Sequence, residues 1–541
     1  MEVSVDDVLS VTNVVSDLVM VIVVFDVIAL FVMLFLEKCD PRVFVTWLIL
    51  MVLLPPVGFL LYLYLGISIY NRRRFEPKNV SDAQIMEGEA VQDGMRGSDE
   101  NRFAGRCDIE RVIDAVESSG ARTYTNNNDI ELFTEGAPLM GRLMSDIASA
   151  KRSVLIEYYI VRNDRDGNEF VSLLTRKVEE GVEVRFLTDA FGIGKGPKDG
   201  IMRFRRAGGH YAMFHRAINL LLSPKKNNRN HRKIAVIDGS IAYCGGFNIG
   251  DEYRGEGPLG HWRDATVRVE GAAVVPMLAR FCGDWAYSAP RDSLSPIEQY
   301  ISPSVWSNEG VESMQFVSGG PDISPGNPIQ MQYHSMIANA RRRIYITTPY
   351  LGPDESMAVA LGNAARSGVD VRILIPDKKD HIFLYWNNLT CANSLMEAGV
   401  RIWRYNDGFV HEKMILTDDV CCSIGSANFD NRSLKLNFES NAMIYSETIN
   451  AQAADRFLKD LESSTEYSCE DYRASTLMER LRMAVSWQMR LLARSTWLSS
   501  DPDRPGCPPP SVWPEAAWTS RYSRGCPGTA SPGTIRSAER R

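Results

Sequence analysis

The sequence has few of the signatures that mark metal and nucleotide sites. Its ten cysteines are scattered without a C-x-x-C pair, and no H-E-x-x-H run occurs, which argues against a zinc site and against a disulfide framework. The glycine-rich run Gly192–Gly196 is followed by Pro197, which breaks a dinucleotide-binding pattern, and there is no G-K-[ST] loop. We therefore predict free thiols, no metal and no cofactor.

An excess of positive charge is also absent. The chain has 60 lysines and arginines against 67 aspartates and glutamates, which gives a net charge of −7. A protein with this charge has no overall cationic field to attract nucleic acid, so we predict no nucleic-acid partner. A length of 541 residues is enough for two or three domains, each with a core.

Two long apolar runs lie near the N-terminus. Residues 18–36 contain only Asp26 as a charged group, and residues 43–68 contain none. Each run is long enough to span a bilayer, and a second span argues against a cleaved signal peptide, so residues 1–75 are predicted to form a transmembrane hairpin. Basic residues are denser after the second run than between the two runs. We expect a multi-pass protein of the cell membrane with its large domain in the cytoplasm.

The middle of the chain repeats itself. Residues 76–130 are predicted to be a linker that leads into the first domain, and the two domains are predicted at 131–300 and 301–475. Both domains contain a strand, a helix and a strand in that order, at Ser153–Tyr159, Phe170–Glu180 and Val182–Thr188, and again at Ile344–Thr348, Met357–Arg366 and Val369–Ile375. Such units predict an α/β sheet covered by helices.

Two C-terminal segments differ from these domains. Residues 476–498 alternate apolar residues with arginines at helical spacing. They are predicted to form a basic amphipathic helix that either lies on an anionic membrane surface or packs on the domain. Residues 499–541 are rich in proline and are predicted to be disordered.

One eight-residue pattern occurs twice in the chain. His231–Asp238 and His411–Asp418 both follow H-x-K-x-x-x-x-D. On the short strands predicted here, each histidine and its lysine share a face, whereas the aspartate faces the other way. A histidine beside a lysine supplies a nucleophile or an acid next to an anion anchor, which suits phosphodiester chemistry. The position of Asp238 and Asp418 at turn sequences indicates a structural role for both.

The two motifs and their flanks resemble those of the bacterial cardiolipin synthases of the phospholipase D superfamily. The flanks that carry this resemblance are Asn227–Lys233, His261–Asp264, Asn428–Glu439, Asp40–Arg42 and Leu53–Gly58. The resemblance runs from about residue 20 to about residue 490. It implies two phospholipase D-like α/β/α domains, related by pseudo-twofold symmetry, that bring both motifs to one cleft.

The resemblance also implies roles for individual residues. The catalytic motifs would consist of His231, Lys233, Asp238, His411, Lys413 and Asp418. Phosphate oxygens would be bound by Asn248, Asn428 and Ser426. The histidines would be oriented by Asp264 and Glu439, and which carboxylate serves which histidine is open at this stage.

The implied reaction is phosphatidyl transfer between two phosphatidylglycerol molecules. It gives cardiolipin and glycerol through a phosphatidyl-histidine, with His231 as nucleophile and His411 as acid and base by analogy, and with an anionic membrane as a further partner. A phospholipase D or a phosphatidylserine synthase-like transferase is the alternative, because the motifs do not report the acceptor. A nuclease fits the acidic charge less well, and a non-enzymatic membrane scaffold does not account for two intact motifs. The sequence makes no prediction of the oligomeric state.

Overall fold

The computed structural model describes residues 5–31, 34–35, 41–54, 105–118, 124–215, 228–322 and 327–494, together with residues 58, 62, 78 and 103. Its first two helices are α1 (Val5–Phe31) and α2 (Pro41–Leu53). Within the described ranges, no helix has both the length and the apolar character that a membrane span requires. Much of the second predicted span, most of the linker before residue 105 and the whole segment 499–541 lie outside the described residues.

The next elements belong to the first half of the chain. They are α3 (Cys107–Glu117), β1 (Tyr124–Glu135), α4 (Gly136–Ser149), β2 (Ser153–Tyr158), α5 (Arg165–Glu179), β3 (Glu183–Asp189), α6 (Lys198–Arg206), β4 (His210–Phe214), β5 (Ile234–Ile237), β6 (Ile241–Gly245), β7 (Trp262–Gly271) and α7 (Val274–Ser288).

The second half follows with a similar series. Its elements are β8 (Glu312–Gly319), α8 (Pro328–Asn339), β9 (Arg343–Thr347), α9 (Glu355–Arg366), β10 (Asp370–Pro376), α10 (Ile382–Met396), β11 (Arg401–Tyr405), β12 (Phe409–Val410), β13 (Met414–Thr417), β14 (Cys421–Gly425), α11 (Asn431–Lys435), β15 (Glu439–Tyr445), α12 (Glu447–Glu462), β16 (Ser464–Tyr467), α13 (Cys469–Arg473) and α14 (Leu477–Arg494).

The strands of the described residues form one 16-stranded mixed sheet that runs through both halves. At its centre β1 pairs antiparallel with β8. Outward from this pair, the first half continues with β7, β6, β5, β2, β3 and β4, and the second half with β15, β14, β13, β9, β10 and β11. Strands β2, β3 and β4 are parallel to one another, as are β9, β10 and β11, whereas β16 pairs antiparallel with β11 at the outer edge of the second half. The strands between these groups and the centre pair antiparallel. The repeated topology confirms the repeat of strand, helix and strand predicted from the sequence.

Apolar cores cover both faces of this sheet. One core extends beneath both halves and includes the helices α7 and α12, for example through Trp285 and Phe457. On the other face, α4, α5 and α6 cover the first half, and α3, α8, α9 and α10 cover the second half. Strands buried on both faces carry continuous apolar runs rather than alternating ones, as Ile234–Ile237 does.

Three details differ from the sequence predictions. Strands β5 and β13 begin after the motif lysines, so each histidine and lysine lies in the segment that leads into the strand. Strand β1 begins before residue 131, where the first domain is predicted to start, and it pairs with β8 at the centre of the sheet. The prediction of free thiols is wrong for Cys107, which is disulfide-bonded. Sequence spacing could not reveal this, because bridging depends on which sulfurs the fold brings together.

Candidate active site

Each motif histidine is anchored to the opposite half of the chain. The backbone amide of His231 donates to the carbonyl of Phe438 over 2.9 Å, and that of His411 donates to the carbonyl of Arg263 over 2.6 Å. Strand β12, which leads into His411, pairs with β7 of the first half. Both histidines therefore line one cavity of about 580 Å³ between the halves. This cavity is called the cleft below.

The carboxylates that orient the histidines cross between the halves. His231 Nδ1 lies 2.9 Å from Glu439 Oε2, and His411 Nδ1 lies 2.6 Å from Asp264 Oδ2. Both carboxylates are fully buried. A carboxylate at Nδ1 holds the proton on that nitrogen and leaves Nε2 unprotonated. The geometry therefore pairs Glu439 with His231 and Asp264 with His411, so that each of these contacts joins the two halves.

Burial sets the protonation state of the site. It lowers the pKa of His231, against the opposing effect of Glu439. Burial, together with the charge of Lys413, lowers the pKa of His411 to about 4, against the opposing effect of Asp264. Burial would raise the pKa of both carboxylates, but the histidine and lysine charges lower it. At pH 7 the site thus contains neutral imidazoles held by ionised carboxylates.

The two motif lysines lie beside their histidines. Lys233 Nζ donates to the carbonyl of His231 over 2.6 Å, and Lys413 Nζ contacts the carbonyl of His411. Burial lowers the pKa of Lys233 to about 7 and that of Lys413 to about 8. Each ammonium is therefore poorly solvated, which favours an anion as its partner.

The two predicted asparagines also reach the cleft. Asn248 and Asn428 both line it. The side-chain oxygen of Asn248 accepts the backbone N–H of Ile160 over 3.1 Å, which fixes the orientation of its amide group. An amide held by its oxygen presents its NH₂ group as the remaining donor, as phosphate binding requires.

Ser426 does not fit its predicted role in phosphate binding. Its hydroxyl is buried, donates to Glu439 Oε2 over 2.5 Å and accepts the backbone N–H of Ser440 over 3.0 Å. The reason lies in the sheet, because Ser426 follows β14 and faces β15. The equivalent residue of the first half is Gly246, where an added Cβ would lie 2.0 Å from Asp264 Oδ1. Ser426 thus donates a hydrogen bond to Glu439, and Gly246 leaves the space that Asp264 occupies.

The motif aspartates lie at the far ends of their strands and away from the cleft. Asp238 accepts backbone N–H groups of residues 151–153 over 2.7–3.0 Å. Asp418 accepts those of residues 341–343 over 2.7–3.2 Å. Both have a positive φ, of 52° and 49°, as a tight turn requires. These contacts fit the structural role that the pattern indicates for both aspartates, and their inclusion among the catalytic residues stays a prediction.

The residue between each histidine and its lysine joins the halves. Arg232 forms a buried ion pair with Asp284 and donates to the carbonyl of Glu439 over 3.1 Å. In the second motif the charge is reversed, and Glu412 pairs over 3.2 Å with Arg263 of the first half. Both contacts fix the backbone next to a histidine or its carboxylate.

Several cleft residues have no role in the sequence analysis. The ring of Tyr159 lies 4.9 Å from that of His231, and the ring of Trp262 lies 5.1 Å from that of His411. Arg229 and Arg432 also line the cleft. Arg229, Trp262 and Arg432 lie within a few residues of His231, Asp264 and Asn428 in the sequence, which is the signal that could have found them. Tyr159 has no such neighbour and is found only from the fold.

Known proteins resemble this chain over most of its length. Residues 143–256 and 333–461 match a family described as "Cardiolipin synthase, PLD-like domain". Cardiolipin synthase 2 of Staphylococcus epidermidis is 37% identical over 461 residues, which cover 84% of this chain and 93% of that relative. A cardiolipin synthase of Staphylococcus aureus is also 37% identical over 461 residues, covering 84% and 92%. The crystal structure of phosphatidylserine synthase from Haemophilus influenzae shares the fold, with a TM-score of 0.54 at 13% identity over 70% of this chain and 99% of that chain.

The duplicated α/β sheet, with a histidine from each half in one cleft, defines a phospholipase D-like protein. The two staphylococcal cardiolipin synthases identify the family within this class, because the match covers 93% and 92% of their length. The chain belongs to the cardiolipin synthase family.

Proposed function

We propose that the protein transfers the phosphatidyl group of one phosphatidylglycerol to the free hydroxyl of another, which forms cardiolipin and releases glycerol. The observation that carries this proposal is the crossed pair of histidine–carboxylate contacts in one cleft. Such a pair supplies a nucleophile and a separate acid and base for a double displacement at phosphorus. The family relationship supports phosphatidylglycerol as the lipid.

In the first step, Nε2 of His231 attacks the phosphorus. The bond between phosphorus and the glycerol oxygen breaks, and protonated His411 gives its Nε2 proton to the leaving oxygen. The pKa of His411 is about 4 in the free cleft, and an anionic phosphodiester beside it raises this value toward the protonated state. The assignment of His231 as the nucleophile and His411 as the acid and base follows the analogy with the phospholipase D superfamily.

In the second step, His411 takes the proton of the acceptor hydroxyl. The oxygen of the acceptor attacks phosphorus, and the bond from phosphorus to His231 breaks. The energy of the phosphodiester is kept in the phosphatidyl-histidine, so the scheme consumes no nucleotide. Water as acceptor would give phosphatidic acid, which is the phospholipase D reaction.

The lysines and asparagines stabilise charge in both steps. Lys233, Lys413, Asn248 and Asn428 would bind the non-bridging phosphoryl oxygens, where negative charge develops in the transition state. The desolvated ammonium groups of the two lysines support this role.

The wider organisation is proposed from the sequence and the fold together. We infer two phospholipase D-like domains related by a pseudo-twofold axis, since the strand orders about the β1–β8 pair are equivalent. We also infer an N-terminal membrane hairpin with the catalytic body in the cytoplasm. The apolar runs and the basic residues that follow them support this placement.

The test is a reaction with one lipid. The purified protein receives phosphatidylglycerol in detergent micelles with a chelator present, and mass spectrometry identifies the products. Cardiolipin and glycerol in equal amounts are expected. Phosphatidic acid as the main product would support a phospholipase D, and activity that depends on an added divalent ion would contradict the mechanism.

A further inference from the structure

The cleft suits the head group of a lipid better than its acyl chains. Most residues that line it are charged, amide-bearing or aromatic, and apart from Pro258 the aliphatic ones are Ile160, Leu259 and Leu384. Acyl chains are more stable in apolar surroundings than beside water and charged groups. A phospholipid that reacts at the two histidines therefore keeps its chains in an apolar phase outside the cleft.

The carboxyl ends of the parallel strands face the cleft in both halves. Tyr159 directly follows β2 and Tyr350 follows β9, and both line the cleft. In each half the next strand in the sequence, β3 or β10, is the parallel neighbour of that strand. Neighbouring parallel strands end at the same edge of a sheet. The segments after β3 and β10 therefore lie beside the cleft, at equivalent places in the two halves.

Each of these two segments carries an exposed phenylalanine. Phe191 follows β3 and is 61% exposed, and Phe383 follows β10, at the start of α10, and is 53% exposed. The ring of Phe191 lies 5.0 Å from the guanidinium of Arg229, which lines the cleft, and Phe383 lies between the cleft residues His381 and Leu384. In the described part of the chain after α2, every other phenylalanine is buried or half-buried. We call Phe191 and Phe383 the rim phenylalanines.

An apolar helix from the N-terminal region approaches this side of the molecule. Helix α14 packs on α10, where Arg482 lies 5.7 Å from the ring of Trp386, and α2 in turn contacts α14. The exposed surface of α2 is apolar. Lys379, which lines the cleft, is close enough to Glu479 of α14 for their charges to interact. The apolar phase that would cover α2 is thus next to the end of α10 that borders the cleft.

We propose that the rim phenylalanines insert into the surface of a phospholipid bilayer and hold the cleft against it. A phosphodiester then enters the cleft while its acyl chains stay in the bilayer. This inference rests on the proposed function and adds the partner of this surface. Phenyl rings suit the boundary between head groups and acyl chains. Lys379, whose ammonium lies 4.6 and 4.7 Å from the rings of Tyr385 and Trp386, adds a positive charge near Phe383 that suits an anionic bilayer.

The direct experiment is photochemical labelling by lipid. Full-length protein is reconstituted into vesicles of phosphatidylglycerol and phosphatidylcholine, with labelled acyl chains on the phosphatidylcholine. The variants are Phe191→p-benzoylphenylalanine, Phe383→p-benzoylphenylalanine and, as the control, Val311→p-benzoylphenylalanine. Val311 is also exposed, but it precedes β8, and the opposite end of β8 is the one that pairs with Glu439. On illumination, labelled lipid should attach to the two rim variants at least about fivefold more than to the control.

A second measurement connects this contact to turnover. Phe191→Ser combined with Phe383→Ser should lower cardiolipin formation on vesicles about 5- to 50-fold, because the rings no longer hold the cleft at the surface. The rate with dihexanoyl phosphatidylglycerol, dissolved as monomers, should fall less than about twofold, because a dissolved lipid needs no surface. Phe191→Leu combined with Phe383→Leu keeps an apolar rim and should stay within about threefold of wild type on vesicles. Thermal melting confirms that each variant is folded.

Three results would overturn the proposal. Lipid attachment at the rim no greater than at the control position is the first. Attachment of the rim variants to another protein chain in place of lipid is the second. The third is an equal loss of both rates, or a loss of neither, in the folded serine variant. Wild-type protein that makes no cardiolipin from either form of the lipid would instead overturn the proposed function, because lipid attachment is measured without turnover.

Discussion

Asp264 and Glu439 occupy equivalent positions in the two halves, and each contacts the motif histidine of the other half. Asp264 lies on β7 and Glu439 on β15, at the same register with respect to β6 and β14. Their different lengths match their neighbours, because Gly246 leaves room for the short Asp264 where Ser426 supports the longer Glu439. The near-symmetric site is thus built from two non-identical pairs.

Neutralising either carboxylate should remove most of the activity. Glu439→Gln and Asp264→Asn keep size but replace the acceptor of the Nδ1 proton with an amide that can present its NH₂ group. The wrong tautomer then costs on the order of 10³–10⁴-fold in kcat, as in other oriented histidine sites. Steady-state rates of cardiolipin formation check this. Retention of more than about a tenth of the wild-type rate in both variants would contradict the tautomer role.

The motif aspartates should affect stability instead of chemistry. Asp418→Ala removes the acceptor of three backbone N–H groups, so the free energy of unfolding should fall by about 1–3 kcal/mol. The neighbour Asp419 makes only exposed ion pairs, and Asp419→Ala should cost less than about 1 kcal/mol. Thermal melting compares the two variants. A kcat of folded Asp418→Ala far below wild type would restore a catalytic role.

The pH profile should reflect the buried histidines and lysines. Attack requires neutral His231, and its pKa is lowered, so the acid limb of kcat/KM should lie below pH 6.5. Lys233 and Lys413 have pKa values of about 7 and about 8, so their charge and the rate should be lost as the pH rises through this range. In Lys233→Arg, whose guanidinium stays charged, the remaining activity should persist to higher pH, because the lysine of lower pKa has been replaced. An acid limb of kcat/KM that lies above pH 6.5 would contradict the lowered pKa of His231.

At the scale of elements, α14 packs on the domain, which is one of the two alternatives left open by the sequence, and binding to a membrane surface stays a prediction. Met483 is buried in the core of the second half, and Arg482 lies 5.7 Å from the ring of Trp386 on α10. The other face of α14 exposes Leu477, Leu481 and Val485. The helix therefore packs on the domain and still presents an apolar stripe beside arginines, which suits an anionic membrane surface.

This stripe gives a prediction that separates membrane binding from folding. Leu477→Gln with Leu481→Gln should lower activity on anionic vesicles several-fold more than activity in micelles, because the stripe contributes only to vesicle binding. Met202→Gln, at an exposed methionine of α6, is the matched control. Equal loss on both lipid forms would show that the stripe supports the fold alone.

For the whole molecule, the sequence predicted the local structure better than it predicted the contacts between distant residues. The repeated strands and helices follow from spacing, and the structure confirms them within a few residues. The crossed carboxylates, the support role of Ser426 and the central β1–β8 pair depend on contacts between the halves. Periodicity reports which face a residue occupies but not which distant residue it meets.

The halves are interlocked around the site. Arg232 and Glu412, next to the histidines, each bond to a residue of the other half, and one core extends beneath both. Neither half contains an oriented histidine by itself. The central claim is therefore that the two histidines act as one unit.

The most direct test measures cardiolipin formation from phosphatidylglycerol by wild type, His231→Ala, His411→Ala and the double variant. Each single variant should lose at least about 1,000-fold, and the double variant should be little worse than either, because groups that act as one unit are not additive. All variants must retain the melting temperature of a folded protein. A folded single variant that keeps its rate within tenfold of wild type, or losses that multiply in the double variant, would contradict a shared site.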